Sequence, residues 1–136
     1  MHYWIVKTEP STYSYDDLAR QKTAVWDGVK NALALKHLRQ MQPGDRVLVY
    51  HTGDEKAVVG IAEVRSPAYP DPKQKDAKLA VVDQRAERRL PRPVALAEIK
   101  KDRAFADLAL VRIGRLSVMP ASAGQFERIV KLAGAT

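Results

Sequence analysis

The chain has 136 residues, with 23 Lys+Arg against 16 Asp+Glu and a formal charge of +7 at pH 7. Its 46% hydrophobic and 29% charged content belongs to one globular domain over residues 1–136 and excludes a wholly disordered chain. The absence of cysteine excludes disulfide scaffolds, thiol nucleophiles and thiolate metal sites, and no apolar run approaches the roughly 18 residues of a membrane span.

The opening MHYWIVKTEP lacks the basic-then-apolar pattern of a secretory signal, so a cytoplasmic location is expected. The charge is uneven. Residues 1–68 carry 9 basic and 8 acidic side chains, whereas residues 69–136 carry 14 and 8. An excess of that kind in one half points to a polyanionic partner, nucleic acid ahead of an anionic membrane.

In chain order, Tyr3 to Lys7 is rich in aromatic and β-branched residues and reads as a strand stopped at Glu9-Pro10-Ser11. Ser14 with Asp17 forms a capping-box start for a short helix through Arg20. Val25-Trp26-Asp27-Gly28 reads as a turn, after which Asn31 caps a helix carrying Ala34, Leu38 and Met41. Pro43-Gly44-Asp45 is a turn into Arg46 to His51, a strand apolar on both faces. Ala57 to Arg65 pairs with it as a hairpin, with Gly60 marking a bulge or a close backbone approach. Residues 66–78 form an exposed proline-rich loop. Leu79 to Arg85 is a further strand, closed off by Pro91 and Pro93, and Leu96 to Asp102 is helical. Leu116 to Met119 is a short strand stopped by Pro120. Ser122 and Gln125 cap a last helix with Phe126, Ile129, Val130 and Ala133 on one stripe and Gly134 at its end. Short strands with hairpins and interspersed helices make an α+β domain on a small curved or barrel-like sheet, without a glycine-rich dinucleotide fingerprint.

The three histidines, His2, His37 and His51, lie far apart, with no spacing that marks a metal site. No nucleophile elbow is present, and Glu9 with His51 is the one acid–base pair worth carrying forward. Trp4 and Tyr50 sit inside strands and read as core. Trp26 differs, because it stands beside Asp27-Gly28 and ahead of Lys30 and Asn31. An aromatic face next to polar donors suits a planar, hydrogen-bonding ligand such as a nucleobase, with plain packing as the competing reading.

Six blocks of the sequence resemble the EVE domain family. Trp4 to Pro10 resembles its W-x-x-K-[ST]-E-P opening, and Trp26 to Asn31 its W-[DE]-G-V-[RK]-[NS]. Leu38 to Met41 with Gly44-Asp45, Tyr50-His51-Thr52, Gly60 to Val64 with Ala68 to Pro72, and Leu116 to Pro120 follow in order. Two positions depart from the family pattern: Lys78-Leu79-Ala80 has no tryptophan, and Thr52 stands where serine is usual. The resemblance implies a PUA-like fold, a small mixed or antiparallel β-barrel flanked by short helices, related to ASCH and YTH domains. It also implies a non-catalytic reader of a modified base, in DNA or RNA.

On that reading a flipped-out base lies against Trp26, while Asn31, Thr8, Glu9 and His51 face its edge, with Lys7, Tyr50, Thr52 and Ser117 completing the pocket. Glu9 is either an acceptor for an amino edge or a local acceptor for backbone N–H groups. Lys30, Arg85, Arg88 and Arg89, with Lys7, are the expected phosphate contacts, the alternative for the arginines being a solvated face. No cofactor, metal or catalytic residue is expected, and a monomer is the default. The competing classes are an enzyme using Glu9 and His51 on a nucleotide or other small molecule, and a small-ligand or protein-interaction module.

Overall fold

The computed structural model describes residues 1–134. Its elements are β1 (Tyr3–Thr8), α1 (Tyr15–Gln21), β2 (Thr23–Trp26), α2 (Ala32–Arg39), β3 (Arg46–His51), β4 (Ala57–Val64), β5 (Tyr69–Pro70) and β6 (Ala80–Ala95). They continue with α3 (Leu96–Lys101), a 3-10 turn (Arg103–Phe105), α4 (Ala109–Arg112), β7 (Val118–Ala121) and α5 (Ala123–Leu132). No helix of the described residues is long and apolar enough to cross a membrane.

Local side-chain chemistry starts three of the helices. The Ser14 hydroxyl accepts from the Asp17 amide and the Asp17 carboxylate accepts from the Ser14 amide; Ser122 and Gln125 repeat the arrangement at α5. Asn31 Oδ1 accepts from the amides of Leu33 and Ala34, both at 3.0 Å, and so starts α2.

The seven strands form one mixed sheet in the order β2-β6-β4-β3-β1-β7, with β5 paired to β6. β1 and β3 run parallel, and the other pairs are antiparallel. β2 and β7 are the two edges and do not pair with each other, so the sheet is not closed into the expected barrel.

Three prolines differ from expectation. β6 runs straight through Pro91 and Pro93: its pairing to β4 jumps from Val94 to Arg89, so both prolines fall in a stretch the ladder leaves unpaired. β7 likewise contains Pro120, which is tolerated because β7 is an edge. Val25-Trp26, expected in a turn, forms the end of β2, and the turn begins at Gly28 with φ +78°.

The core lies under the sheet and is joined at one point by a buried acid. Asp45 accepts from the Trp4 indole Nε1, the His2 amide and the Gln42 amide, each at 3.0 Å. Trp4 is therefore a core residue with its single donor satisfied.

Candidate functional site

The chain turns tightly after β1. The Glu9 carbonyl accepts from the amides of Thr12 and Tyr13, both at 2.9 Å, and the Thr8 hydroxyl donates to the Tyr13 carbonyl at 2.6 Å. That turn folds Tyr13 back, and α1 returns the chain to β2, whose last residue is Trp26. The two rings meet edge to face, with centroids 6.0 Å apart and planes at 80°. The Tyr13 hydroxyl donates to Gln21 Oε1 at 2.6 Å, which fixes its ring. Burial pushes that hydroxyl's pKa up, against the opposing charge of Arg20, and the Asp27 charge adds to the rise.

Beside this corner lies a groove of about 840 Å³. It is lined from both sides of the sheet opening: Thr23 to Trp26 come from the β2 edge, and Lys7, Thr8 and Ser117 come from β1 and the entry to β7. Ala24, Val25 and Val29 supply apolar surface, while Thr12, Gln21 and Thr23 supply hydroxyl and amide groups. Lys7 and Lys73 are its cations. Asp27 is its only carboxylate, is exposed, and makes no hydrogen bond or ion pair with another described residue. Lys7 Nζ donates to the Gly114 carbonyl at 2.8 Å and lies 5.7 Å from the centre of the Tyr50 ring; burial lowers its pKa. Trp26 is buried among the core side chains and Tyr13 is half-buried; two perpendicular rings can offer a flat ligand the face of one and the edge of the other. The free carboxylate and the hydroxyls can then read polar edges.

Of the residues expected at the site, Trp26, Lys7, Thr8 and Ser117 come together in this groove. The others do not line it. Asn31 has its carboxamide oxygen engaged as the α2 cap. Glu9 clasps its own loop: its carboxylate accepts from the Ser11 hydroxyl and the Thr52 hydroxyl, each at 3.0 Å, and these bonds lower its pKa. Of its two readings, the local acceptor is the one its contacts describe. Thr52 is thereby engaged as well.

His51, 3% exposed, accepts at Nε2 from the Tyr15 amide at 3.0 Å. An amide only donates, so the ring proton sits on Nδ1 and donates to Glu55 Oε1 at 2.7 Å. Both nitrogens are thus engaged in structure, and Glu9 and His51 share no hydrogen bond. Tyr50 is buried beneath Lys7 and outside the groove lining.

Lys30 lies just beyond the groove, in the adjoining hollow. Arg85, Arg88 and Arg89 line a separate hollow against α1. There Arg89 is paired with Asp16 at 2.9 Å, and Arg85 lies 3.5 Å from Glu63.

Tyr13, Asp27 and Lys73 belong to the groove and were not singled out by sequence. For Asp27 the signal was adjacency to Trp26; for Tyr13 and Lys73, brought in by a tight turn and a long loop, there was none.

A family model described as the EVE domain matches residues 2–132 of this chain. Thymocyte nuclear protein 1 of Danio rerio is 29% identical over an alignment that covers 95% of this chain and 71% of that protein. The NMR structure of Rpa0253 from Rhodopseudomonas palustris is 40% identical, covers 98% of this chain and 94% of its own, and superposes with a TM-score of 0.92. The crystal structure of human THYN1 protein in complex with DNA containing 5-methylcytosine is 26% identical. That match covers 100% of this chain and 99% of the other, at a TM-score of 0.91.

Proposed function

This chain belongs to the EVE domain family, and on that premise we propose that it binds DNA and reads a modified cytosine by taking the base into the Tyr13–Trp26 groove. The observation that carries the reading is the ring corner with one unengaged carboxylate, Asp27, beside it. The relative solved with DNA containing 5-methylcytosine supports the choice of ligand.

Extruding a base costs a few kcal/mol, and stacking on an aromatic returns about 1–3 kcal/mol. The edge contacts supply the remainder. Cytosine presents an N4 amino donor, which an ionised carboxylate accepts, so the edge-reading role once open to Glu9 passes to Asp27. A 5-methyl group against Ala24, Val25 and Val29 is worth about 0.8 kcal/mol, roughly a fourfold preference over plain cytosine. Thr8 and Ser117 border the base, and Lys7 stands at the phosphate side. The proposed activity is binding; the Glu9–His51 pair that the enzyme reading needs has its polar atoms engaged elsewhere and does not line the groove.

Fluorescence anisotropy with labelled DNA and RNA carrying cytosine or 5-methylcytosine tests this. Native protein binds the methylated DNA more tightly, Trp26→Ala loses at least tenfold, and Asp27→Asn loses the preference for cytosine over thymine. Equal binding of every base, unaffected by either substitution, overturns the reading. Tighter binding to RNA moves the ligand class.

A further inference from the structure

The groove does not end at Trp26. It shares Asp27, Gly28, Val29 and Lys73 with a second hollow of about 270 Å³, between residues 27–30 and 71–80. That hollow in turn shares Lys30, Gln74 and Leu79 with a third, of about 500 Å³, which reaches α2 at Arg39 and the loop at Lys78. Through these shared residues the three hollows adjoin along one cleft, and a Cβ at Gly28 would meet nothing within 4 Å.

The lysines along this path have no ion-pair partner among the described residues. The amino groups of Lys73, Lys30 and Lys78 make no hydrogen bond or ion pair among the described residues, whereas Arg39 donates to the Lys78 carbonyl and ties α2 to the loop. Of the acids along it, Asp71 is buried and accepts from the Lys73 amide, and the exposed Asp76 accepts from the Lys78 amide, each at 2.9 Å, while Asp27 stands at the groove end, where the base is read. The arginine face of β6 is the opposite case. Arg85 lies by Glu63, Arg89 pairs with Asp16, Arg92 forks onto Glu98 at 2.8 and 2.9 Å, and Arg46 meets Glu87 at 3.1 Å. Among the β6 arginines only Arg88 has no carboxylate partner in the described residues. Cations already neutralised by neighbours release few counterions from a polyanion; free ones release them fully.

We propose that the nucleic-acid strand leaving the base groove runs through this cleft, with its phosphates on Lys73, Lys30 and Lys78, and that the β6 arginines do not carry it. The inference rests on the base-reading function and adds to it the direction of the strand. The cleft recognises phosphodiester charge and no base, so it adds affinity without adding preference for the modification.

The test is a pair of double variants, Lys30→Ala/Lys78→Ala and Arg85→Ala/Arg88→Ala, titrated with 5-methylcytosine and cytosine oligonucleotides over a range of salt. All four side chains are exposed, and melting curves check that the fold is kept. Two lost phosphate contacts lower affinity by about 10- to 30-fold at 0.15 M salt and flatten the log–log salt slope by about 1.5–2. The lysine variant shows that loss with its methyl preference unchanged, and the arginine variant binds like native protein. A native-like lysine variant, or the same loss in the arginine variant instead, overturns the cleft. If native protein shows no methyl preference, the base-reading function fails on its own, and the salt slopes still decide where the phosphates lie.

Discussion

Gly60 is the position where one added carbon does the most damage. A Cβ built there lies 2.5, 2.6 and 2.7 Å from three ring atoms of Tyr15. The ring cannot swing away, because the Tyr15 hydroxyl donates to the Ile61 carbonyl at 2.7 Å and the Tyr15 amide donates to His51 Nε2 at 3.0 Å. Gly60→Ala must push the ring by about 1 Å to reach ordinary van der Waals distance. That overpacking costs about 1–3 kcal/mol, and the strained hydroxyl bond adds about 1 kcal/mol, so about 3 kcal/mol is expected. With an unfolding entropy of about 2.1 cal/mol/K per residue, 136 residues give about 0.29 kcal/mol/K and a fall in Tm of about 10 °C. Differential scanning calorimetry reads this directly. In a Tyr15→Leu background the obstacle is gone, so adding Gly60→Ala costs almost nothing and the double-mutant cycle is strongly non-additive. A Tm within about 2 °C of native for Gly60→Ala, or additivity in the cycle, refutes the reasoning. Tyr15 begins α1, which carries Gln21 into the groove wall, so on the proposed function the same substitution also weakens DNA binding.

Three further outcomes follow from buried groups. Asp45→Ala leaves the Trp4 indole N–H and two amides without their acceptor and destabilises by about 2–4 kcal/mol in urea titrations, while the proposed methyl preference of the groove, which none of these residues lines, stays native. Burial pushes the Tyr15 hydroxyl up to about 12, and the Asp83 hydrogen bond does the same for Tyr69. The folded state then keeps protons that the unfolded chain gives up near pH 10, so stability falls as pH climbs from about 10 to 12. Tyr15→Phe has a shallower fall over that window, and an unchanged slope argues against the assignment. Gln84 is fully buried in β6, with neither carboxamide atom hydrogen-bonded among the described residues. Gln84→Met therefore raises stability by about 1 kcal/mol; a fall in Tm contradicts this account.

What was legible in the sequence was local. Ser14 with Asp17, Ser122 with Gln125 and Asn31 start helices through bonds spanning two or three residues, so spacing alone reveals them. Arg46 to His51 was legible as a buried strand because both its faces are apolar. The prolines misled because a bulge opposite β4 and an edge position at β7 remove the need for their missing N–H groups, and pairing partners are not visible in a single strand.

The same division runs through the site. Trp26, Lys7, Thr8 and Ser117, which line the groove, were singled out from aromatic–polar adjacency and the family resemblance. His51 and Glu9 looked equally suitable until Tyr15, Glu55, Ser11 and Thr52 were seen to occupy their polar atoms. Likewise the arginines of β6 looked free because Asp16, Glu63 and Glu98 are brought to them only by folding.

The most direct test of the central claim is a filtered NOE experiment on the complex with DNA whose single 5-methylcytosine carries a 13C-labelled methyl group. The methyl protons of a base seated in the groove give cross-peaks to the ring protons of Trp26 or Tyr13 and to the methyl groups of Ala24, Val25 or Val29. A methyl group that shows no contact to these residues, or contacts the Arg85–Arg89 face instead, contradicts it.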